Sequence, residues 1–496
     1  MKDFQIDWRA EAVPFLHTWE GLVNIDQFRW LVRGDVQAQL RMAHKELGAR
    51  CVRAVGMFDD ELRAMGIDPR RFAEPQNTAC RPNYQILDYI TDTLVEMGIW
   101  PMITTTFVPG CMAAGEHTVF TTKGRTDLPR DFAEWEAFIQ AYTEHVTGRY
   151  GKKNVAEWYF EVWNEPNLFP FFAGTQADYF RLWEHTRRAV KAVCPDYRVG
   201  GPSTARGEWV EAFLNWTRER DCQPDFLAVH IYNRDSEDES LSPFGGAQAA
   251  KINRRADFAA EVIRGVRGLA DRMHFRGEIH WNEWGRSWWI CDPDRESANE
   301  AGYIVKTMSE VSQCADCFAY WCLSDVYDQG GYGAEAFHGN YGMLSLNSLR
   351  KPSYHAFSLL SMCGEERIPA AVLDGGCTGC IATRSQKEYV FLYYCFRPEE
   401  DGGLPHTVRF NLPEDARRGD MELYLVDRTH NNAPARWRRM GSPQYPTPEE
   451  VTGLRAEDCL APAENGPGIE GEYAVFRLDG AGAALVKVPR VSSVLR

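Results

Sequence analysis

The chain has 496 residues, 55 Lys and Arg against 70 Asp and Glu for a net charge of −15, and a hydrophobic share of 44%. That acidic balance argues against nucleic acid and anionic lipid as partners and favours a neutral one. No uninterrupted apolar run approaches the length of a membrane span. The length is too great for one ordinary core, so two domains are the default expectation. The opening stretch MKDFQIDWRAEAVPF has no basic n-region followed by an apolar segment, and the expected location is the cytoplasm. The 14 cysteines are scattered over the whole chain, which predicts reduced, packed thiols and no disulfide framework. Cys314/Cys317 and Cys377/Cys380 have metal-like spacing, but neither pair has a His nearby, and no metal or other cofactor is expected.

In chain order, residues 1–14 form an N-terminal segment expected to pack on a later β module. Eight short apolar, β-rich runs then follow at His17–Leu22, Cys51–Val55, Pro101–Phe107, Trp158–Asn164, Tyr197–Gly201, Phe226–Ile231, Glu278–Glu283 and Cys317–Leu323. Between them lie amphipathic stretches. Trp135, Phe138, Ile139, Tyr142 and Val146 recur at helical spacing, as do Tyr179, Leu182, Trp183, Thr186, Val190 and Val193. Strands alternating with helices predict an α/β fold, a (β/α)8 TIM barrel over residues 15–360. Past residue 360 the texture becomes alternating and aromatic. Strands are predicted at Tyr389–Phe396, Thr407–Leu412, Met421–Val426, Tyr473–Leu478 and Ala484–Val488, giving a C-terminal all-β sandwich over 361–496. Gly441–Pro448 and Ala461–Gly471 read as its most linker-like loops. The oligomeric state is open, with a homo-oligomer allowed.

The sharpest chemical signal is Trp158-Tyr-Phe-Glu-Val-Trp-Asn-Glu-Pro-Asn167, a strand that Pro166 stops directly after Asn164 and Glu165. In a barrel of this kind the active site lies at the C-terminal ends of the strands, so Glu165 faces substrate. Ile279-His-Trp-Asn-Glu-Trp-Gly285 puts Glu283 in the corresponding place on the seventh strand. Two carboxylates opposed across a barrel mouth are the equipment for cleaving a glycosidic bond. The bland alternatives are a solvated loop carboxylate for Glu165 and a structural ion pair for Glu283. Glu161 is four residues before the first carboxylate and is expected on the same side as Trp163 and Glu165. A buried carboxylate there needs a partner, and Arg53 is one candidate. His230 and Tyr232 alternate along the sixth strand and so share a face, with a satisfied core His and a packed Tyr as the alternatives. The 16 Trp and 20 Tyr include Trp284, Trp288, Trp289 and Trp321 as candidates for a sugar-stacking platform, although most aromatic residues will be core.

These motifs resemble clan A of the retaining glycosidases and, more narrowly, glycoside hydrolase family 39, the β-xylosidase and α-L-iduronidase family. The resemblance is carried by Arg53-Ala-Val-Gly-Met-Phe-Asp-Asp60, His145-Val-Thr-Gly-Arg-Tyr-Gly151 and the Glu165 segment. It continues through Asp225-Phe-Leu-Ala-Val-His-Ile-Tyr232, Tyr320-Trp-Cys-Leu-Ser-Asp325, Phe337-His-Gly-Asn-Tyr-Gly-Met-Leu344 and Lys351-Pro-Ser-Tyr-His-Ala-Phe357, in that order over residues 44 to 360. It implies that Glu165 is the general acid/base and Glu283 the nucleophile. It further implies that Asn164 bonds the sugar 2-hydroxyl, His230 touches the sugar, Tyr232 orients the nucleophile, and Arg53 is the barrel-floor arginine that keeps the nucleophile ionised. Trp321 and Phe107 join the substrate-binding set, with Arg53 and Glu161 in support.

The chain departs from the family pattern at Val55, where His is common, and at Tyr327-Asp-Gln329, where an acidic stretch is common. Substrate identity follows those positions. The leading expectation is an exo-acting β-xylosidase working on neutral plant-type oligosaccharides. Arabinosidase, galactosidase or iduronidase-like specificity is the alternative within the mechanism. A carbohydrate-binding protein without turnover is the alternative of another class.

Overall fold

The computed structural model describes residues 1–66, 81–235, 253–370, 372–373, 376–398, 402–456 and 458–491. Eight parallel strands form its central sheet: β1 Leu22–Gln27, β2 Cys51–Val55, β3 Trp100–Thr104, β4 Tyr159–Glu161, β5 Arg198–Thr204, β6 Phe226–Tyr232, β7 Glu278–Gly285 and β8 Cys317–Tyr320. They neighbour one another in chain order, as a (β/α)8 barrel requires. The seam between β8 and β1 is closed by main-chain bonds from Phe318 to Thr18 (2.7 Å) and from Leu323 to Asn24 (2.9 Å). The Asn24 amide adds to the seam by donating to the carbonyls of Ala319 (3.1 Å) and Tyr320 (3.2 Å).

Crossover helices α1 Gly34–Leu47, α2 Gln85–Glu96, α3 Phe132–Tyr150, α4 Gln176–Val193, α5 Val210–Glu219, α6 Phe258–Arg272, α7 Ala298–Val311 and α8 Pro352–Leu360 surround the strands. The periodic residues of the third and fourth helices form their buried faces, including Trp135, Phe138 and Tyr142 on α3 and Tyr179, Leu182 and Trp183 on α4. Both helices start on side-chain caps. Asp131 accepts from the amides of Ala133 and Glu134, and Thr175 with Asp178 forms a reciprocal capping box.

The first strand lies five residues later than His17–Leu22. His17–Leu22 is interrupted by Gly21 at φ 97°, while its aromatic residues pack locally, His17 stacking on Trp19 with centroids 4.7 Å apart. The true strand, Leu-Val-Asn-Ile-Asp-Gln, is buried throughout and carries Asn24 and Asp26 inside the protein. Polar residues inside a strand break the apolar run by which strands are read.

Two further sheets face each other as a sandwich. In one, the strand Lys2–Phe4 pairs in parallel with His406–Asn411, followed by Tyr473–Leu478 and Gly468–Glu470. In the other, Val13–Pro14 sits at the edge beside Glu366–Ile368, then Thr378–Arg384, Glu388–Cys395, Gly482–Pro489 and Glu422–Val426. Between them Phe391 stacks on Phe410 with centroids 4.0 Å apart, covered by Phe4 and Trp8. The stretch read as linker after Ala461 contains the edge strand Gly468–Glu470, and the loop from Gly441 separates two short helices, Ala433–Arg439 and Pro448–Ala456. Helix α7 is buried almost all round because it lies between the barrel and the larger sheet. The contact is so close that a Cβ on Gly302 would meet the Cys395 carbonyl oxygen at 2.2 Å.

Among the described residues twelve cysteines lie outside any disulfide, but Cys111 is disulfide-bonded, which corrects the expectation that every thiol is reduced. Among the described residues neither Cys314/Cys317 nor Cys377/Cys380 joins a metal-capable cluster, and no helix is long and apolar enough to cross a membrane.

Candidate active site

The carboxyl ends of the barrel strands enclose a cavity of about 250 Å³. Strand β4 and its loop supply Asn164, Glu165, Leu168 and Phe171, and the loop after β5 supplies Ala205 and Arg206. His230, Tyr232 and Asp235 come from β6. Glu283, Trp288, Trp289 and Ile290 come from β7 and its loop, and Trp321, Tyr327, Gln329 and Tyr341 from β8 and the segment behind it.

Glu165 and Glu283 are both buried, at 7% and 6% exposure. One oxygen of each, together with a ring nitrogen of His230, falls within a 4.8 Å span. Each carboxylate reaches this position by breaking regular strand geometry. Beyond β4 the chain turns through Trp163 at φ 72° and Glu165 at φ 48°, while the Glu165 amide donates to the Ser203 carbonyl at 2.7 Å. Positive φ at two bulky residues is strain concentrated where the site needs a side chain re-aimed. On β7, pairing runs from Ala228↔His280 to His230↔Glu283, so β7 carries one extra residue. That bulge lets Asn282 and Glu283 both face the barrel interior, a pattern that simple alternation forbids.

Below the carboxylates lies a buried polar network centred on Arg53. Its Nε donates to Glu161 Oε2 at 2.7 Å, Nη1 to Glu283 Oε2 at 3.2 Å, and Nη2 to Asn164 Oδ1 at 2.7 Å. Glu161 also accepts from Thr104 (2.9 Å) and Asn282 (2.7 Å). Burial alone would raise the Glu161 carboxyl, but Arg53 beside it holds it below the usual carboxylate range. Glu161 is thus a fixed negative charge that anchors the arginine, with donors on both of its oxygens.

His230 bridges the two carboxylates. Nη2 of Arg53 stands 3.3 Å from His230 Nε2, and a guanidinium only donates, so Nε2 is the acceptor and Nδ1 carries the hydrogen. That Nδ1–H donates to Glu165 Oε1 at 3.0 Å and lies 3.6 Å from Glu283 Oε2. Burial pushes the imidazole pKa down to about 4, so the ring is neutral. The same tautomer argues against reading Glu165, His230 and Glu283 as a metal cage. Ligation through Nδ1 would require its proton to leave, and Nε2 would then point a hydrogen at Arg53.

Burial is also the main reason that Glu165 is lifted to about 7. Burial raises Glu283 too, with the Glu165 charge adding to it, and its carboxyl stays above the usual range although Arg53 and the Tyr232 hydroxyl pull it down. Glu165 has one donor among the described residues, His230, whereas Glu283 receives Arg53 and Tyr232. More donors thus face Glu283 than Glu165 to hold a negative charge.

Several sequence-derived placements are corrected. Phe107 does not line the cavity; it is buried edge-on between Phe120 and Trp163. Trp163 does not share a face with Glu161 and Glu165. The turn at φ 72° sends it against Phe172, with Nε1 donating to the Phe171 carbonyl at 3.0 Å. Trp284 faces outward from β7 into the core, beside Phe318, Tyr320 and Phe357. Trp288, Trp289 and Trp321 do line the cavity, as do Tyr327 and Gln329 of the divergent stretch, while Val55 is buried away from it. Arg206 and Asp235 line it without having been singled out in the sequence, because no motif or spacing sets them apart, and Tyr341 lines it from within the Phe337–Leu344 motif, where it was given no role.

A (β/α)8 barrel with two buried carboxylates meeting in a cavity at its carboxyl-end mouth defines a glycoside hydrolase. Residues 3–470 match the model of Glycosyl hydrolases family 39, and the chain belongs to that family. The match takes in most of the β module, well beyond the span over which motifs were legible. The chain is 30% identical over 439 residues to a beta-xylosidase of Caldicellulosiruptor saccharolyticus, covering 88% of this chain and 87% of that protein. It is 29% identical over 449 residues to a beta-xylosidase of Geobacillus stearothermophilus, covering 89% and 86%. Its fold superposes on the crystal structure of a monomeric beta-xylosidase from Caulobacter crescentus CB15 with a TM-score of 0.83, at 28% identity over 99% of this chain and 100% of that one.

Proposed function

We propose that the protein is a retaining exo-β-D-xylosidase in which Glu165 is the general acid/base and Glu283 the nucleophile. The observation that carries this reading is the 4.8 Å limit on the Glu165 and Glu283 oxygens. Retaining pairs stand about 5–5.5 Å apart, whereas inverting pairs need about 6.5–9.5 Å to hold a water between them. In the first half-reaction, Glu283 attacks the anomeric carbon while Glu165 gives its proton to the departing oxygen. Once Glu283 is an ester, one negative charge has left the site. Glu165, left ionised by the proton transfer to the leaving oxygen, then takes a proton from the water that hydrolyses the ester.

The remaining roles belong to the same proposal: Asn164 on the 2-hydroxyl, His230 and Trp321 against the sugar, and Arg53 and Glu161 holding the floor. A cavity of about 250 Å³ suits one terminal sugar and part of its neighbour. The β-xyloside preference rests on the two curated relatives named above. Within this reading, residues 15–360 are the catalytic barrel, 361–496 an accessory β module, and 1–14 an arm that completes it. The partner is a neutral oligosaccharide, and a homo-oligomer is compatible with the site. Twelve cysteines outside any disulfide among the described residues suit a reducing compartment, here the cytoplasm, with the Cys111 disulfide as the contrary observation.

A panel of nitrophenyl glycosides tests the specificity, and proton NMR of the first product tests the stereochemistry. The expected result is fastest release from the β-xyloside, with the β-anomer formed first. Inversion would overturn the assignment of Glu283 as nucleophile. A dominant arabinoside, galactoside or iduronide activity would replace the substrate alone.

A further inference from the structure

The mechanism leaves unused one carboxyl group inside the cavity. Asp235 is 9% exposed at the end of β6, and its Oδ2 accepts from the Tyr232 amide at 2.8 Å. Its other oxygen has no hydrogen-bond partner among the described residues, although the residue lines the cavity. Beside it stands Arg206, whose Nε donates to Glu208 Oε1 at 2.6 Å, and Glu208 is in turn fixed by Asn167 at 2.9 Å. The arginine is therefore held at the wall with donors to spare, and its charge acts on both Glu165 and Asp235.

The order of strands around the barrel says which part of a substrate these two residues meet. Glu165 comes from β4, and the wall beside it is built by the ends of β5 and β6. Glu283 comes from β7, and the wall beside it is built by β8. An acid must stand next to the leaving oxygen, so the wall made by the loops after β5 and β6 faces the leaving group, while the more deeply buried Asn164 and His230 and the β7–β8 wall face the sugar being cleaved off. We propose that Asp235 and Arg206 form a leaving-group subsite that reads the hydroxyls of a sugar, Asp235 accepting from them and Arg206 donating to them. The proposal rests on Glu165 being the acid. It makes an oligosaccharide, and not a glycoside of a flat aromatic alcohol, the substrate for which the cavity is built.

Asp235→Asn is the decisive variant, because the Tyr232 amide still requires an acceptor. The Asn oxygen takes that place, and the amide NH2 replaces the free carboxylate oxygen, which turns an acceptor into a donor at constant shape. The readout is the ratio of kcat/KM for a β-1,4-linked disaccharide to kcat/KM for the nitrophenyl glycoside of the same sugar. Measured above pH 7, where the Asp235 carboxyl is ionised, the ratio is expected to fall about tenfold in Asp235→Asn and in Arg206→Met, the size of one charged hydrogen bond lost. A ratio within twofold of wild type in both variants, whether the two rates fall together or stay, overturns the subsite. Wild-type turnover of the nitrophenyl glycoside with inversion would instead overturn the reading of Glu165 and Glu283 beneath it.

Discussion

Tyr232 donates its hydroxyl to Glu283 Oε1 at 2.8 Å, while Arg53 holds Oε2 of the same carboxylate at 3.2 Å. Each oxygen of the proposed nucleophile therefore has its own donor, and whichever oxygen attacks must give up part of one bond. Tyr232→Phe removes a donor to a buried anion, worth about 1.5–3 kcal/mol, and leaves Arg53 alone to hold the ionised form. The expected result is a fall in kcat of about ten- to a hundredfold with KM little changed. The acidic limb of kcat/KM should also move to higher pH, since the Glu283 carboxylate is less stabilised. A variant with lower kcat and an unmoved acidic limb would show that the hydroxyl positions the carboxylate without tuning its charge.

How much of this site the sequence disclosed depends on backbone regularity. Glu165 and Glu283 were legible because each ends a strand-like run, and Pro166 marks one of those ends. The partners of Arg53 were only half legible: strand spacing suggested Glu161, but nothing local suggested Asn282 or Thr104. Trp163 was misplaced because period-two alternation was carried past Glu161, where the strand has already ended in a positive-φ turn, and Phe107 because β3 has ended at Thr104, three residues before it. The bulge on β7 misled in the same way by turning Trp284 outward. The first strand was misplaced because Asn24 and Asp26 make an interior strand look like a loop. Fold class survives such local errors because it depends on the repeated alternation of strands and helices, whereas the facing of a single side chain does not.

As the proposed acid, Glu165 is expected to set the alkaline limit of activity. Burial raises its pKa to about 7, so the acid is protonated below that value and loses its proton as pH rises through it. Glycosylation needs the protonated form, and kcat/KM should accordingly fall on the alkaline side with a midpoint near 7. Glu165→Gln, assayed with a good leaving group, should abolish that limb. A limb that persists in the variant would assign the titration to another group, with Asp235, itself lifted to about 7 by burial, the first to examine.

The two glutamates are separable by chemical rescue. Glu283→Ala removes the nucleophile, and its residual rate should fall about 10⁴-fold or more on every substrate. Added azide should then attack directly from the vacated side and give a glycosyl azide of inverted configuration. Glu165→Ala retains the nucleophile, so nitrophenyl substrates should still acylate it, and deglycosylation should become limiting. Azide should rescue that step with net retention. NMR of the two azide products distinguishes the assignments, and the opposite pairing of variant and configuration would exchange the roles.

The cavity wall that carries Trp288 and Trp289 depends on one arginine that has no carboxylate partner among the described residues. Arg295, 2% exposed, donates to the carbonyls of Ser287 (2.6 Å), Trp289 (2.8 Å) and Gly339 (2.6 Å), and its guanidinium lies 3.9 Å from the Tyr341 ring centroid. The Tyr341 hydroxyl in turn donates to the Trp288 carbonyl. One planar cation thus ties the loop after β7 to the segment behind β8, the two elements that face each other across the glycon side of the cavity. A lysine keeps the charge but offers a single point from which to reach three carbonyls in different directions, and it lacks the flat face that stacks on Tyr341. Arg295→Lys is therefore expected to raise KM several-fold, because the wall is less well ordered when substrate arrives. Its kcat should change little, because neither glutamate touches Arg295. Steady-state kinetics on one nitrophenyl glycoside checks this, with proteolysis of the β7 loop as a second reading. Equal losses in kcat and kcat/KM, with no gain in proteolytic sensitivity, would place the effect on the transition state and not on the wall.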